Sequence, residues 1–217
     1  MNTRTKRRIV YHMVAVGIAG TCSAVIYLLF SKRDFISRLS IATAYGAIAL
    51  TSLALVLGPW NVIRSQPNPV SSDLRRDTGI WAGIFAVLHS GLGLNVHLRG
   101  RMWLYFVDQH GRWRTDIFGF GNYTGAIAAL VFLFLLTISN DASLRRLRSR
   151  RWKSWQRLTY VAVVLTFAHG LLYQHIETRA PVYRVGYIAI VACIAVVQLA
   201  GIWRRWLAES SAQAMTE

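Results

Sequence analysis

The 217-residue sequence contains few acidic residues and little charge overall. Nine Asp and Glu stand against 25 Lys and Arg, which gives a formal net charge of +16, and charged residues make up 16% of the chain. Soluble domains average about 25%. Its two cysteines, Cys22 and Cys193, form no Cys-x-x-Cys pair, so no disulfide framework is predicted. The chain also lacks a Gly-rich nucleotide fingerprint between a strand and a helix.

What the chain has instead is hydrophobic sequence, at 54% of its residues. This sequence falls into six blocks of about 20 residues, each long enough to cross a hydrocarbon core about 30 Å thick. Irregular backbone cannot face lipid, so each block is predicted to be a helix. We therefore expect an all-α fold, an integral membrane bundle of six transmembrane helices that forms a single domain over residues 1–217. The predicted spans are 9–30, 39–58, 78–98, 121–140, 155–173 and 182–203. This pattern excludes a soluble enzyme, and an attached nucleotide-binding domain would need about 100 further residues.

The basic residues predict how the helices are oriented. With six spans, 16 of the 25 Lys and Arg fall on the side of the two termini, seven of them between residues 145 and 157. The positive-inside rule then predicts that both termini are cytoplasmic. Anionic lipid headgroups are the expected counter-charge. Juxtamembrane arginine clusters are ordinary in membrane proteins, so we expect no nucleic-acid partner.

Two of the six histidines lie well inside predicted membrane spans, His89 near the middle of the third and His169 in the outer half of the fifth. An ionisable side chain at such a depth indicates function. His89 is 11 residues past Thr78, and His169 is 14 past Trp155, at the start of two spans that run in the same direction. The depth difference of about 3 residues is roughly 4.5 Å, so the two imidazoles can share one iron.

No Asp, Glu or Cys lies in either apolar core to complete a tetrahedral zinc site. Two neutral imidazoles in an apolar slot suit a haem iron bound from both faces. The alternative is that each histidine only hydrogen-bonds within a helix interface. Glycines beside the histidines, at Gly91, Gly93 and Gly170, fit either close approach to a cofactor or simple helix packing.

Two stretches resemble the ferric reductase-like transmembrane family, and within it the haem-binding membrane subunits of bacterial periplasmic methionine sulfoxide reductase systems. The first runs from Arg75-Arg76 through Gly79 and Trp81 to Leu88-His89; the second contains Arg151-Trp152, Tyr160 and His169. The resemblance covers roughly residues 70–175. It implies a six-helix b-type cytochrome of the inner membrane with His89 and His169 as axial haem ligands. Arg75 and Arg76 match the family's cytoplasmic basic pair, whose role would be to neutralise propionate, flavin phosphate or lipid phosphate; the alternative is a positive-inside anchor.

The sequence departs from this pattern at Gln156, where those subunits carry a further histidine. An amide is a poor haem ligand, so the resemblance implies no second haem on that side. Candidates for a second, outer haem are His97 and His175, placed 8 and 6 residues after the first pair. At about 100° per residue they are turned about 80° and 240° from their neighbours, and interfacial histidines are the competing interpretation.

The resemblance implies an electron-transfer subunit of an oxidoreductase system in the bacterial inner membrane. Electrons would come from a separate flavin reductase, a bound FMN or a quinol, since the chain carries no dehydrogenase module. They would leave to an extracytoplasmic acceptor, by resemblance a molybdenum-containing methionine sulfoxide reductase. The alternatives are a ferric or other metalloreductase-like cytochrome, or a non-redox membrane scaffold with structural histidines.

The connection at 99–120 is rich in Trp, Tyr, Phe and Arg. Such residues are typical of segments in the lipid headgroup layer and of protein interfaces. We expect the segment to lie at the membrane surface, with docking of a partner as the alternative.

Overall fold

The computed structural model describes residues 2–66, 73–98 and 101–214. Within these ranges the chain is all-helical, as predicted, apart from an isolated antiparallel bridge between Val107 and Trp113. The helices are α1 Thr3–Leu29, α2 Phe35–Ile63, α3 Asp73–Gly93, α4 Ile117–Ile138, α5 Asp141–Gln156, α6 Leu158–Ile176 and α7 Pro181–Ala214, and a short 3-10 helix spans Met102–Tyr105.

Short polar side chains set the starts of four helices. Asn2, Asp34, Asp116 and Asn140 each accept a hydrogen bond from a backbone N–H in the first turn of the helix that follows. These caps satisfy donors that have no partner inside the helix. The caps explain why α1, α2 and α4 begin a few residues before the apolar blocks that predicted them.

Four helices among the described residues are long and apolar enough to cross a membrane: α1, α2, α4 and the Pro181–Ser211 part of α7. The remaining predicted spans correspond to α3 and α6. Polar residues shorten their apolar stretches, because α3 begins with Asp73, Arg75, Arg76 and Asp77 and α6 ends with Gln174 and His175. The chain is therefore a multi-pass membrane protein, and the count of six spans stays a prediction.

Three predicted boundaries differ from the structure. The connection expected from Asn140 to Ser154 is the helix α5, broken at Arg148, whose φ of 59° is left-handed. Its charged residues suit a helix outside the hydrocarbon core. The third span, expected at 78–98, is α3 at Asp73–Gly93. The connection expected from Pro59 to Asp77 begins only after Ile63, and residues 67–72 of it lie outside the described part of the chain.

Helix α2 continues past Pro59 because another helix satisfies the backbone group that the proline leaves unpaired. Proline has no N–H, so the carbonyl of Leu55, four residues earlier, loses its usual partner. The side-chain Nε2 of Gln198 on α7 donates to that carbonyl at 2.9 Å. Gly201 allows the approach, because a Cβ at this position would lie 2.6 Å from the Cβ of Pro59. The α2–α7 contact therefore depends on the backbone hydrogen bond that is missing at Pro59.

Helix α2 lies at the centre of the bundle, packed against α1, α3 and α7, while α4 packs against α3 and α6. The most extensive contacts join α2 to α3 and α4 to α6. These two pairs carry the candidate histidines.

The segment between α3 and α4 forms a hairpin-like turn. Asp108 N donates to Arg112 O at 2.8 Å, Arg114 N donates to Phe106 O at 3.0 Å, and Gly111 takes a left-handed φ of 76°. Tyr105 is buried, whereas Trp103 and Trp113 are 59% and 73% exposed. The exposed tryptophans suit either a lipid headgroup layer or a partner, so both interpretations of the 99–120 connection stay predictions. Arg99 and Gly100 lie outside the described residues.

An ion pair ties α1 to α3 at one end of the bundle, which we call the Asp77 end. Asp77 is fully buried, and its Oδ1 lies 2.6 Å from Nη2 of Arg8 and 3.7 Å from Nε2 of His12. The second ring nitrogen of His12 accepts from Trp81 Nε1 at 3.0 Å. Each polar atom on this buried contact therefore has a partner.

A second set of ion pairs at the Asp77 end joins α1, α3 and α5. Arg76, whose side chain is 3% exposed, lies 2.6 Å from Asp141 and 3.2 Å from Asp73. Arg4 binds Asp73 at 2.9 Å. The hydrogen bond from Arg76 lowers the pKa of Asp141. A carboxylate with a depressed pKa stabilises the fold above its ordinary pKa and loses that contribution as the pH falls through the lowered value.

Replacing Arg8 with Gln should destabilise the protein, because it leaves the buried Asp77 carboxylate with only the more distant His12. Breaking a buried ion pair costs about 3 kcal/mol at the lower end of the usual range. We expect a loss of unfolding free energy near this lower end, because Arg8 is partly exposed. Arg7→Gln is the matched control, because Arg7 lies 3.8 Å from Asp73 and is 59% exposed; we expect about 0–1 kcal/mol. Thermal unfolding in detergent measures both, and equal effects would contradict the expectation.

Candidate functional site

The structure brings His89 and His169 together, as their matching depths predict. His89 lies on α3 and His169 on α6. Their ring centroids are 5.9 Å apart, with the ring planes at 66° to one another. The gap leaves room for a metal ion between the rings, since a metal–nitrogen bond from imidazole is about 2 Å long. Whether they bind haem stays a prediction.

A backbone carbonyl of a neighbouring helix orients each imidazole. Nδ1 of His89 lies 2.9 Å from the carbonyl of Ser40 on α2, and Nδ1 of His169 lies 2.7 Å from the carbonyl of Gly121 on α4. A carbonyl can only accept, so each Nδ1 carries the proton and each Nε2 keeps its lone pair. Metal-binding histidines commonly have this second hydrogen bond, which fixes the tautomer and the ring orientation.

Both histidines line a cavity of about 440 Å³. Cavities of roughly 300–1,000 Å³ hold small ligands and cofactors. Small side chains line much of it: Ala44, Ala47, Ala86, Gly125, Ala126 and Ala129. They leave an apolar slot between four helices with two imidazoles inside it. Among the described residues no group of three or more His, Cys, Asp or Glu could hold a metal ion.

Gly125 on α4 makes room for the ring of His169. A Cβ at this position would lie 2.6 Å from Nδ1 and 2.7 Å from Cε1 of that ring, closer than atoms that are not bonded can pack. None of the three glycines that the sequence singled out makes room for a histidine ring. Gly91 has nothing within 4 Å, and Gly93 approaches only Ser40 Oγ, at 3.7 Å, whereas Gly170 packs tightly against the hydroxyl of Tyr187.

The opposite end of the bundle, which we call the Glu177 end, carries the polar part of the cavity wall. Glu177 follows α6, and its side chain is 9% exposed and pairs with Nη1 of Arg33. Its Oε1 lies 3.0 Å from Nε2 of His97. Hydrogen bonding to His97 and the nearby charge of Arg33 lower the pKa of Glu177 to about 2, so it is a carboxylate at neutral pH.

The structure does not bring the second histidine pair together as it does the first. His97 is bound to Glu177 and lines the cavity. His175 is exposed and lies outside the cavity lining. The predicted cofactor residues Arg75 and Arg76 also lie outside that lining, at the Asp77 end. Arg76 is held in the ion pairs described above, and Arg75 is half-buried.

Tyr105, Asn122 and Tyr173 form a hydrogen-bonded contact at the cavity wall that the sequence did not reveal. The Tyr105 hydroxyl donates to the carbonyl of Gly93 at 3.0 Å, and Asn122 Nδ2 donates to the carbonyl of Tyr105 at 3.0 Å. Tyr173 Oη donates to Asn122 Oδ1 at 2.6 Å, and its ring lies 4.7 Å from that of His169. The position of Tyr173, one helical turn after His169, was the one feature of the sequence that could have indicated this contact.

Comparison with known protein families identifies the family of the chain. The family described as the ferric reductase like transmembrane component matches residues 43–167, more than half of the chain. The chain belongs to this family. The match includes His89, Arg75 and Arg76 and ends two residues before His169. No curated protein and no solved structure matches the chain. Membership of the ferric reductase-like family, together with the apolar helices, indicates a membrane electron-transfer component.

Replacing Gly125 with Ala should displace His169 and break its hydrogen bond to Gly121, because the added Cβ would overlap the ring. We expect a large loss of any ligand held between the two histidines, measured as bound cofactor per protein. Gly79→Ala is the matched control, since nothing lies within 4 Å of a Cβ there. If Gly125→Ala behaves like Gly79→Ala, the ring position does not depend on this glycine.

Proposed function

We propose that the protein is a haem b-binding electron-transfer subunit, with one haem held between His89 and His169. The proposal is supported above all by the arrangement of the two imidazoles. Both Nδ1 atoms are hydrogen-bonded to backbone carbonyls, and both rings line one cavity with their centroids 5.9 Å apart. The apolar slot suits the porphyrin plane. A haem with two histidine ligands exchanges one electron at a time and leaves no open position for a substrate.

Three observations favour one haem over two. His175 is exposed and lies outside the cavity. The Nε2 atom of His97 already contacts the carboxylate of Glu177. Gln156, which replaces a further histidine, lies 3.4 Å from Ser139 Oγ and has no metal-binding nitrogen. A second haem would require His97 to leave its partner.

We further propose that all six predicted spans cross the membrane, with both termini in the cytoplasm of a bacterium. Helices α3 and α6 have 21 and 19 residues, roughly 31 and 28 Å at 1.5 Å per residue. Their polar starts and ends face the two ends of the bundle. The arginine-rich α5 then lies on the cytoplasmic side with the Asp77 end. The protein would lie in the inner membrane, surrounded by lipid.

The donor and acceptor follow from this orientation. A separate flavin reductase, a bound FMN or a quinol would supply electrons on the cytoplasmic side or from the membrane. The acceptor would meet the Glu177 end, and the sequence resemblance favours a periplasmic molybdenum-containing methionine sulfoxide reductase. A ferric ion or another metal is a second candidate, because the family description names ferric reductases. Reoxidation of the dithionite-reduced protein by each acceptor, added outside vesicles, distinguishes the two.

Replacing His89 or His169 with Ala should each abolish a low-spin haem spectrum, because either change removes one axial ligand. The measurement is the absorbance of the purified protein, oxidised and dithionite-reduced, where the unmodified protein should show a sharp α-band. His175→Ala is the control and should keep the band. A colourless unmodified protein, expressed with ample haem, would favour the non-redox scaffold and end the proposal.

The proposed topology predicts opposite sides for the turn at His110 and the helix α5. In a chain whose Cys22 and Cys193 are replaced by Ser, we expect His110→Cys to react with a membrane-impermeant maleimide in spheroplasts. Ser149→Cys should react only after the membrane is opened. Both positions are exposed, so the difference reports the side. Labelling of both from one side would contradict six spans.

A further inference from the structure

Arg179 is a half-buried cation that has no carboxylate partner among the described residues. It lies in the short connection between α6 and α7, and its backbone N–H donates to the carbonyl of Gln174 at 3.1 Å. Its side chain lines the cavity, and its Nε is fully buried without a hydrogen-bond partner. In the described part of the chain no carboxylate lies within ion-pair distance of it. Its guanidinium only faces the ring of Phe30, 5.4 Å from the ring centroid.

Among the described residues, Glu177 is the one carboxylate in the cavity lining, and it is already bound to other groups. Glu177 is ionised at neutral pH and pairs with Arg33 and His97. Among the described residues that line the cavity, one carboxylate therefore stands against the two positive charges of Arg33 and Arg179. The surplus positive charge faces the cavity.

A buried charge is costly unless a counter-charge or hydrogen bonds satisfy it. The guanidinium is the side chain best shaped to bind a carboxylate, with two parallel hydrogen bonds. A second orphaned polar atom lies at the same end, since Oε1 of the buried Gln174 has no partner. The unpaired groups thus fit an apolar ligand that carries acidic groups on one edge.

We propose that Arg179, with Arg33 beside it, binds the carboxylates of the ligand in the cavity, so that the propionate edge of the porphyrin faces the Glu177 end. This inference rests on the proposed function. It replaces the expectation that Arg75 and Arg76 neutralise the propionates, because both lie at the other end and outside the cavity lining. Along α1 the two ends, marked by Arg8 and Phe30, are about 33 Å apart.

The first test compares haem with its dimethyl ester, in which both carboxylates are blocked. The full-length protein, expressed under haem limitation, is titrated with each in detergent, and binding is followed by the low-spin spectrum. We expect haem to bind at least about tenfold more tightly, as for loss of one hydrogen bond to a charged group. Equal affinity in the unmodified protein would overturn the proposal, and this arm needs no substitution.

The second test repeats the comparison with Arg179→Gln, for which the preference for haem over its ester should collapse. Arg179→Lys keeps the charge but loses the paired geometry, so an intermediate preference is expected. Arg38→Gln is the matched control. Arg38 lies outside the cavity lining, where it donates to the carbonyl of Tyr27 at 3.0 Å and stacks on that ring. A preference that survives Arg179→Gln unchanged would overturn the proposal.

The midpoint potential gives an independent readout. Removing a positive charge near the porphyrin disfavours the reduced form, so Arg179→Gln should titrate at a lower potential than the unmodified protein or Arg38→Gln. An unchanged potential would count against the proposal. If no variant, including the unmodified protein, acquires a low-spin spectrum, the proposed function itself fails. If haem binds without preference for the free acid, only the present inference fails.

Discussion

The candidate site depends on two hydrogen bonds from imidazole Nδ1 atoms to backbone carbonyls. Those of Ser40 and Gly121 belong to α2 and α4, whereas the histidines belong to α3 and α6. The position of each ring is therefore set by the packing of a helix pair, and α2–α3 and α4–α6 are the two most extensive contacts in the bundle. A polar group buried among apolar helices must find such a partner, so these two bonds join neighbouring helices and orient both rings.

The two ends of the bundle differ in how their charges are satisfied. At the Asp77 end, ion pairs between α1, α3 and α5 close the structure, and Asp77 is fully buried with Arg8 as its partner. At the Glu177 end, the two arginines in the described cavity lining outnumber its one carboxylate. A planar apolar ligand with acidic groups on one edge would enter such a cavity in one orientation. The asymmetry thus gives the bundle a direction, which would matter for the proposed transfer of electrons from one side of the membrane to the other.

Sequence reasoning worked where depth along a helix was the deciding quantity. The rise of 1.5 Å per residue placed His89 and His169 at similar heights, and the structure has their rings 5.9 Å apart. It failed where contacts between distant segments decided. The continuation of α2 beyond Pro59 depends on Gln198, some 140 residues later, and the arginine-rich connection turned out to be the helix α5. Neither follows from local hydrophobicity, which reports burial in lipid and not the partner of a given carbonyl.

By itself the sequence determined the helical class, the apolar blocks and the matching positions of the two histidines along their helices, because hydrophobic length and residue spacing are local properties. Only the tertiary structure decided the rotation of each helix about its axis. A helix that is apolar on every side has no preferred face in its sequence, so the packing alone selected Gly125 as the gap beside His169. It likewise left Arg179, and not Arg75 or Arg76, at the cavity. An unpaired charge is a property of all its neighbours, and those neighbours meet only when the chain folds.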